Sequence, residues 1–257
     1  MKHIFLKFRK INKKVDMKRI FYIFFIGISM ILSSCHLTLM DCNDGSGEII
    51  KEERNVGKFD KIKTNGAFDI YLYQADSNLV IVEIDDNLAK YVRTSVVDNE
   101  LEIDEVKSLC TKIKKIYITS PNYKKLEING ASDVLARNPL IINYLEVETN
   151  GASLTQFEEL YCPNLRVSIS GAGDFRIKKG KGGNFHIQAT GAGDIKALDF
   201  PSDSIKVEIS GAGDVDINAR TFLLVKIFGS GDVSYRASDS TKVVKKILGA
   251  GSINKVK

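Results

Sequence analysis

The tetrapeptide Gly-Ala-Gly-Asp stands at positions 171–174, 191–194 and 211–214, and related turns recur on either side of it. Aligned on the first glycine, the series is Gly66, Gly130, Gly151, Gly171, Gly191, Gly211, Gly229 and Gly249, with intervals from Gly130 onward of 21, 20, 20, 20, 18 and 20 residues. A fixed period near 20 is the mark of a solenoid. Each repeat completes one coil and buries its apolar face only against its neighbours.

Apolar residues keep phase with these glycines. Ile62, Leu126, Val147, Val167, Ile187, Val207 and Val225 stand four before the glycine, and Ile128, Ile169, Ala189, Ile209, Ile227 and Ile247 two before it. Ile70, Val134, Phe175, Ile195, Val215, Val233 and Ile253 follow at four after, with Leu72, Ala136, Phe157, Ile177, Ala197, Ile217 and Tyr235 at six after. Alternation of period two on both sides of a turn predicts strands with one buried face. The expected fold is therefore all-β: a single-stranded β-helix of about 20 residues per coil over residues 57–257.

Within each turn, glycine permits positive φ and clears space where stacked backbones approach, while Asn, Ser or Thr before it can hydrogen-bond its neighbours along the stack. Asp69, Asp133, Asp174, Asp194, Asp214 and Asp232 lie three after the glycine, in phase with the coil. Such a row caps exposed N–H groups. Its sharper alternative is a row of carboxylates sharing Ca²⁺, although calcium repeats use a nine-residue motif and each ion takes six to eight oxygens. Phosphate cradling is not indicated, because no helix follows the turns and neither G-x-x-x-x-G-K-[ST] nor G-x-G-x-x-G occurs.

The formal charge of +5 belongs to the leader. The first 34 residues hold eight Lys/Arg and one acid; the rest hold 29 basic and 31 acidic residues, a net of −2. That balance carries no nucleic-acid footprint. The stretch Met17–Cys35 has a basic start, an apolar run over 20–32 and small residues, as a secretory signal does, so residues 1–34 are expected to be a signal peptide whose true start is Met17. Leu32-Ser33-Ser34-Cys35 resembles a bacterial lipobox, which would place a lipid on Cys35. Residues 36–56 lack sustained periodicity and read, with Cys35, as a lipidated tether.

Cys42, Cys110 and Cys162 form no C-x-x-C pair, so neither a zinc site nor a disulfide framework is indicated; Cys110 could bridge Cys162, but packed thiols are expected. Between Gly66 and Gly130 the turn pattern lapses. A strand at 79–84, a short helix near 87–94, a turn at Asp98-Asn99 and a strand from Leu101 make residues 73–120 an elaborated part that closes the first end of the stack. Lys245, Lys246, Lys255 and Lys257 put charge around the last coil instead.

Catalysis finds little support. His186, in "NFHIQAT", is the one histidine within the repeat, placed as an outward strand residue with no evident triad partner. "KKGKGG", 178–183, reads as a solvated loop. Arg166, Ser168, Lys206, Glu208, Asp216 and Asn218 face outward, and Tyr71, Tyr73, Tyr117, Tyr123, Tyr144 and Tyr161 offer rings on which sugars could stack.

Repeated NGA, SGAGD and TGAGD turns behind a lipoprotein-like signal resemble the head GIN domain family over roughly Val56 to Lys257. The resemblance implies a β-helical envelope domain of Gram-negative bacteria, a family name that proposes auto-transporter adhesion, and no catalytic residues to carry over. No C-terminal segment has the size of a membrane barrel. The expectation is a non-enzymatic lipoprotein of the outer membrane, surface-exposed or periplasm-facing. It would need no cofactor and bind the membrane through Cys35, and a glycan or surface protein through its faces. The alternatives are a periplasmic partner-binding protein and a polysaccharide-active β-helix enzyme.

Overall fold

The computed structural model describes residues 42–256; the proposed signal peptide, Cys35 and Lys257 lie outside them. Strands entering each turn stack in parallel, as do those leaving it, and together they form a β-solenoid of about seven turns. The entering strands hold strict register: Ile62 pairs with Leu126, Leu126 with Val147, and the column continues through Val167, Ile187, Val207 and Val225 to Lys245. The leaving strands register Ile70 on Val134 and Phe175 on Ile195, Val215, Val233 and Ile253. A third run carries Leu140, Leu160 and Gly180 at successive corners.

The apolar phase read from the sequence is the core. From Ile62 to Val225 the column four before the glycine is at most 3% exposed. Bulk alternates with space between coils, as where Ala136 registers on Phe157, whose ring tilts against Phe175 at 5.7 Å. Only the last coil departs from the pattern. Ile247 is 44% exposed and Ile253 partly buried, because among the described residues no further coil covers them.

At the first end the chain does not stack in sequence order. Lys61–Gly66 pairs on one side with Lys125–Gly130, 64 residues later, and on the other with Glu100–Glu105. Asp69–Gln74 likewise lies between Asp133–Ala136 and Lys115–Ser120. One coil, built by 100–120, thus sits outside the coil that precedes it in sequence. Leu79–Asp85 and Val92–Val97 then run antiparallel to that outer coil and lie over this end of the stack. The helix expected near 87–94 is only a 3-10 turn at Ala89–Tyr91, because Val92–Val97 is drawn into an antiparallel ladder with Glu100–Glu105. Tyr123, fully buried, ties the returning chain down by donating its hydroxyl to Tyr73 O at 2.7 Å and Ile118 O at 3.1 Å.

Two expectations for the N-terminal segment are corrected. Residues 43–54 are not tether: Asn43–Asp44 pairs in parallel with Leu109–Cys110, and Ile49–Arg54 adds an antiparallel strand to Leu79–Asp85. The strand was hidden because its side chains alternate only between exposed and half-buried. The disulfide joins Cys42 to Cys110, and Cys162 is a buried free thiol whose Sγ contacts Asn164 O at 3.1 Å. Burial pushes that thiol up to about 11.

Asp85, 3% exposed, holds the adjoining loop by accepting from the Thr111 hydroxyl and from Gly47 N–H at 2.7 Å. Those two bonds hold its carboxyl below the ordinary range.

Candidate functional site

The glycine row is dictated by its neighbours in the stack. A Cβ on Gly191 would lie 1.7 Å from Gly171 O, and one on Gly211 1.8 Å from Gly191 O. Those carbonyls point there because each accepts from the next coil: Ala192 N–H to Gly171 O at 2.9 Å, Ala212 N–H to Gly191 O at 3.0 Å. Gly151, Gly171, Gly229 and Gly249 meet the same obstacle, at 1.8–2.2 Å from the preceding glycine's oxygen. Positive φ is required only at Gly130, at 109°; Gly66 instead faces the Phe68 ring. Close approach, not left-handed backbone, explains the motif.

The aspartate row caps the next coil. Asp174 Oδ1 accepts Asp194 N–H at 3.1 Å, Asp194 Oδ1 accepts Asp214 N–H at 3.0 Å, Asp214 Oδ1 accepts Asp232 N–H at 2.9 Å, and Asp232 Oδ1 accepts Ser252 N–H at 2.7 Å. Asp133 does the same for Leu154. Asp69 keeps the register but not the role, since Asp133 N–H goes to Phe68 O. One oxygen of each capping carboxylate is therefore already engaged. The second oxygen of Asp174 holds Arg176 at 2.7 Å. Among the described residues, the one trio of potential ligand atoms close enough to share a metal is Cys42, Asp44 and Cys110, and its two sulfurs are the disulfide. Before the glycines, side-chain amides run in a ladder from Asn150 to Asn129 to Asn65 to Asp104.

With the turns accounted for, the outward faces remain. On the entering strands, Glu146, Arg166, His186 and Lys206 register side by side, flanked by the parallel column Tyr144, Asn164, Asn184 and Ser204. These columns line a shallow groove. His186 is half-buried and its Nε2 has no hydrogen-bond partner. Burial, then the positive charges of Lys206 and Arg166, hold its imidazole below the ordinary range, with Glu208 opposing. No acid–base–nucleophile set assembles here: the histidine's registered neighbours are both cations. The spacing 166–186–206 is one coil per step, so this alignment was already written in the period.

The tyrosines divide. Tyr71 and Tyr117 stack at 5.2 Å, capped by Arg137 over one ring and Lys51 over the other, which leaves no open aromatic platform. Tyr123 is buried and Tyr73 half-buried, whereas Tyr144 and Tyr161 are 43% and 40% exposed. Of "KKGKGG", Lys178 and Lys179 are an exposed link between strands, whereas Gly180–Ala189 is strand, and a Cβ on Gly180 would lie 1.8 Å from Leu160 O at the third corner.

Comparison with solved structures finds the same fold in several bacterial proteins. A putative adhesin from Bacteroides fragilis NCTC 9343 superposes with a TM-score of 0.79 at 26% identity, covering 83% of this chain and 100% of its own. A putative adhesin from Parabacteroides merdae ATCC 43184 gives 0.66 at 21%, covering 84% and 100%, and a putative lipid binding protein from Parabacteroides distasonis ATCC 8503 gives 0.64 at 24%, again covering 84% and 100%. No curated protein matches the chain. The family model described as "Putative auto-transporter adhesin, head GIN domain" matches residues 58–238, most of the stacked coils, and the chain belongs to that family.

Proposed function

We propose that this protein is a non-enzymatic adhesion or ligand-binding module of the bacterial cell envelope, held at the outer membrane by a lipid on Cys35. One observation carries the reading. The turn glycines and five of the six turn aspartates make coil-to-coil contacts, so the repeat builds a rigid frame whose outward columns are left for recognition. The family name and the relatives described as adhesins support the same role. Anchoring through Cys35 is supported by the lipobox-like Leu32–Cys35 and by the disulfide at Cys42, which fixes the chain to the closed end of the stack seven residues later.

Protease treatment of intact cells, followed by a glycan and matrix-protein array with the purified protein, tests this reading. Cleavage on intact cells with selective array binding is the expected result. Protection until the cells are opened would make it a periplasm-facing partner-binding protein. Release of reducing ends or unsaturated sugars from a polysaccharide would make it an enzyme.

A further inference from the structure

Like charges register across several coils, as Glu127 beside Glu148 and Lys226 beside Lys246, and are offset by close ion pairs: Lys125 with Glu148 at 2.8 Å and with Glu127 at 2.9 Å, Lys226 with Glu208 at 2.9 Å. Such pairing is favourable, whereas like charges directly opposite one another are destabilising. In the column Arg166–His186–Lys206 two cations flank a histidine, about 4.8 Å apart per coil. Their compensation is partial. Arg166 reaches Glu146 only at 3.8 Å, and Lys206 shares Glu208 with Lys226, at 3.1 and 2.9 Å.

The flanking column supplies the other half of a recognition surface. Tyr144 is an exposed ring at one end, and Asn184 and Ser204 offer amide and hydroxyl groups in register with the cations. Rings stack on sugar faces, amides and hydroxyls match sugar hydroxyls, and a guanidinium matches a carboxylate. A linear acidic glycan repeats its charge at regular intervals, as the coils repeat theirs.

We propose that this groove binds an acidic oligosaccharide, with its carboxylates along Arg166, His186 and Lys206 and a ring on Tyr144. The assignment rests on the binding-module reading and names its ligand class. His186 adds a pH dependence. The charged groups acting on it are Lys206, Arg166 and Glu208. Burial first, then Lys206 and Arg166, disfavour the imidazolium, with Glu208 opposing. A ligand carboxylate laid across Arg166 and Lys206 offsets those cations, so binding favours proton uptake by His186 and tightens as pH falls from 7.5 to 5.5.

Titration calorimetry of the detergent-solubilised full chain with oligogalacturonate, and with the same oligomer fully methyl-esterified, tests the assignment. Expected is binding of the acid form, with the ester at least about tenfold weaker and Arg166→Gln and Lys206→Gln each about tenfold weaker, the size of one lost charge-assisted hydrogen bond. His186→Gln abolishes the tightening at pH 5.5. Lys196→Gln, on the other strand row, changes nothing, and unchanged melting of all four variants shows that each is folded. Equal binding of acid and ester, equal loss in Lys196→Gln, tighter binding of polyglutamate, or no binding of the acid form overturns the assignment. Selective array hits among neutral glycans would keep the binding-module reading while removing this groove from it.

Discussion

At its first end the stack is covered by antiparallel strands, a disulfide and a buried tyrosine; at its last end the final coil stands open with lysines along its edge. Ile49–Arg54 and Leu79–Asp85 extend one sheet antiparallel, Val92–Val97 extends the other, and Cys42–Cys110 staples the entry. The strand Lys242–Ile247 pairs only inward, and Val244, Ile247 and Leu248 are 39%, 44% and 61% exposed. Lys245 occupies the position that earlier coils give to Val225 and Val207, its Nζ over the Tyr235 ring at 4.7 Å. Covering an edge requires chain that leaves the repeat, whereas charging an edge requires only substitutions within it. That is why the first end costs some 60 irregular residues and the last end a few lysines.

The largest effect expected from breaking this contrast is at the staple. Cys42→Ser with Cys110→Ser removes closure of a 68-residue separation and should lower stability by about 4 kcal/mol, read by denaturant unfolding. Next is a pair of identical clashes. Gly191→Ala places a Cβ against Gly171 O in a coil held on both sides and should cost about 3 kcal/mol. Gly249→Ala meets Gly229 O at 1.8 Å, yet among the described residues no coil stacks beyond its own and it can lift, so its loss should be distinctly smaller; equal losses would erase the difference between ends.

Tyr123→Phe removes the hydroxyl held between Tyr73 O and the buried Ile118 O and should cost about 2 kcal/mol by the same measurement. The first end should also hold one acid-sensitive contact. Asp85 is held below its ordinary value, so its contribution is present above the unfolded-state carboxylate pKa, 3.8, and is lost as pH falls through that value toward the lower folded one. Stability against pH should therefore be flatter in Asp85→Asn over that interval. The smallest thermal effect belongs to Lys245→Ser with Lys246→Ser. Melting should hardly move, while light scattering shows self-association through the uncharged edge.

Legibility followed periodicity. The columns from Ile62 to Tyr235 were readable because each coil repeats the constraint imposed by the last. The aspartates were readable as backbone caps for the same reason, save Asp69, which precedes a coil that supplies no free N–H. Ile247 and Ile253 carry the core pattern but lack the next coil that would bury them. The placement of 100–120 outside 61–74 was not legible: a gap of 64 residues between glycines fits extra coils in either order. Nor was Cys42–Cys110, because the strands beside it, Asn43–Asp44 and Leu109–Cys110, are two residues each, too short to show a pattern. His186 was readable as outward, but its cationic neighbours emerge only when positions one coil apart are set side by side.

The central claim is that the Gly-Ala-Gly-Asp turns are rungs between coils rather than free binding loops. Native-state hydrogen exchange tests it at Ala192, Ala212, Asp194 and Asp214, whose N–H groups donate to the preceding coil. These turn amides should exchange as slowly as those of the flanking strands, and more slowly than those of Lys242–Ile247. Exchange at the rate of an open loop, with the strands protected, would contradict it.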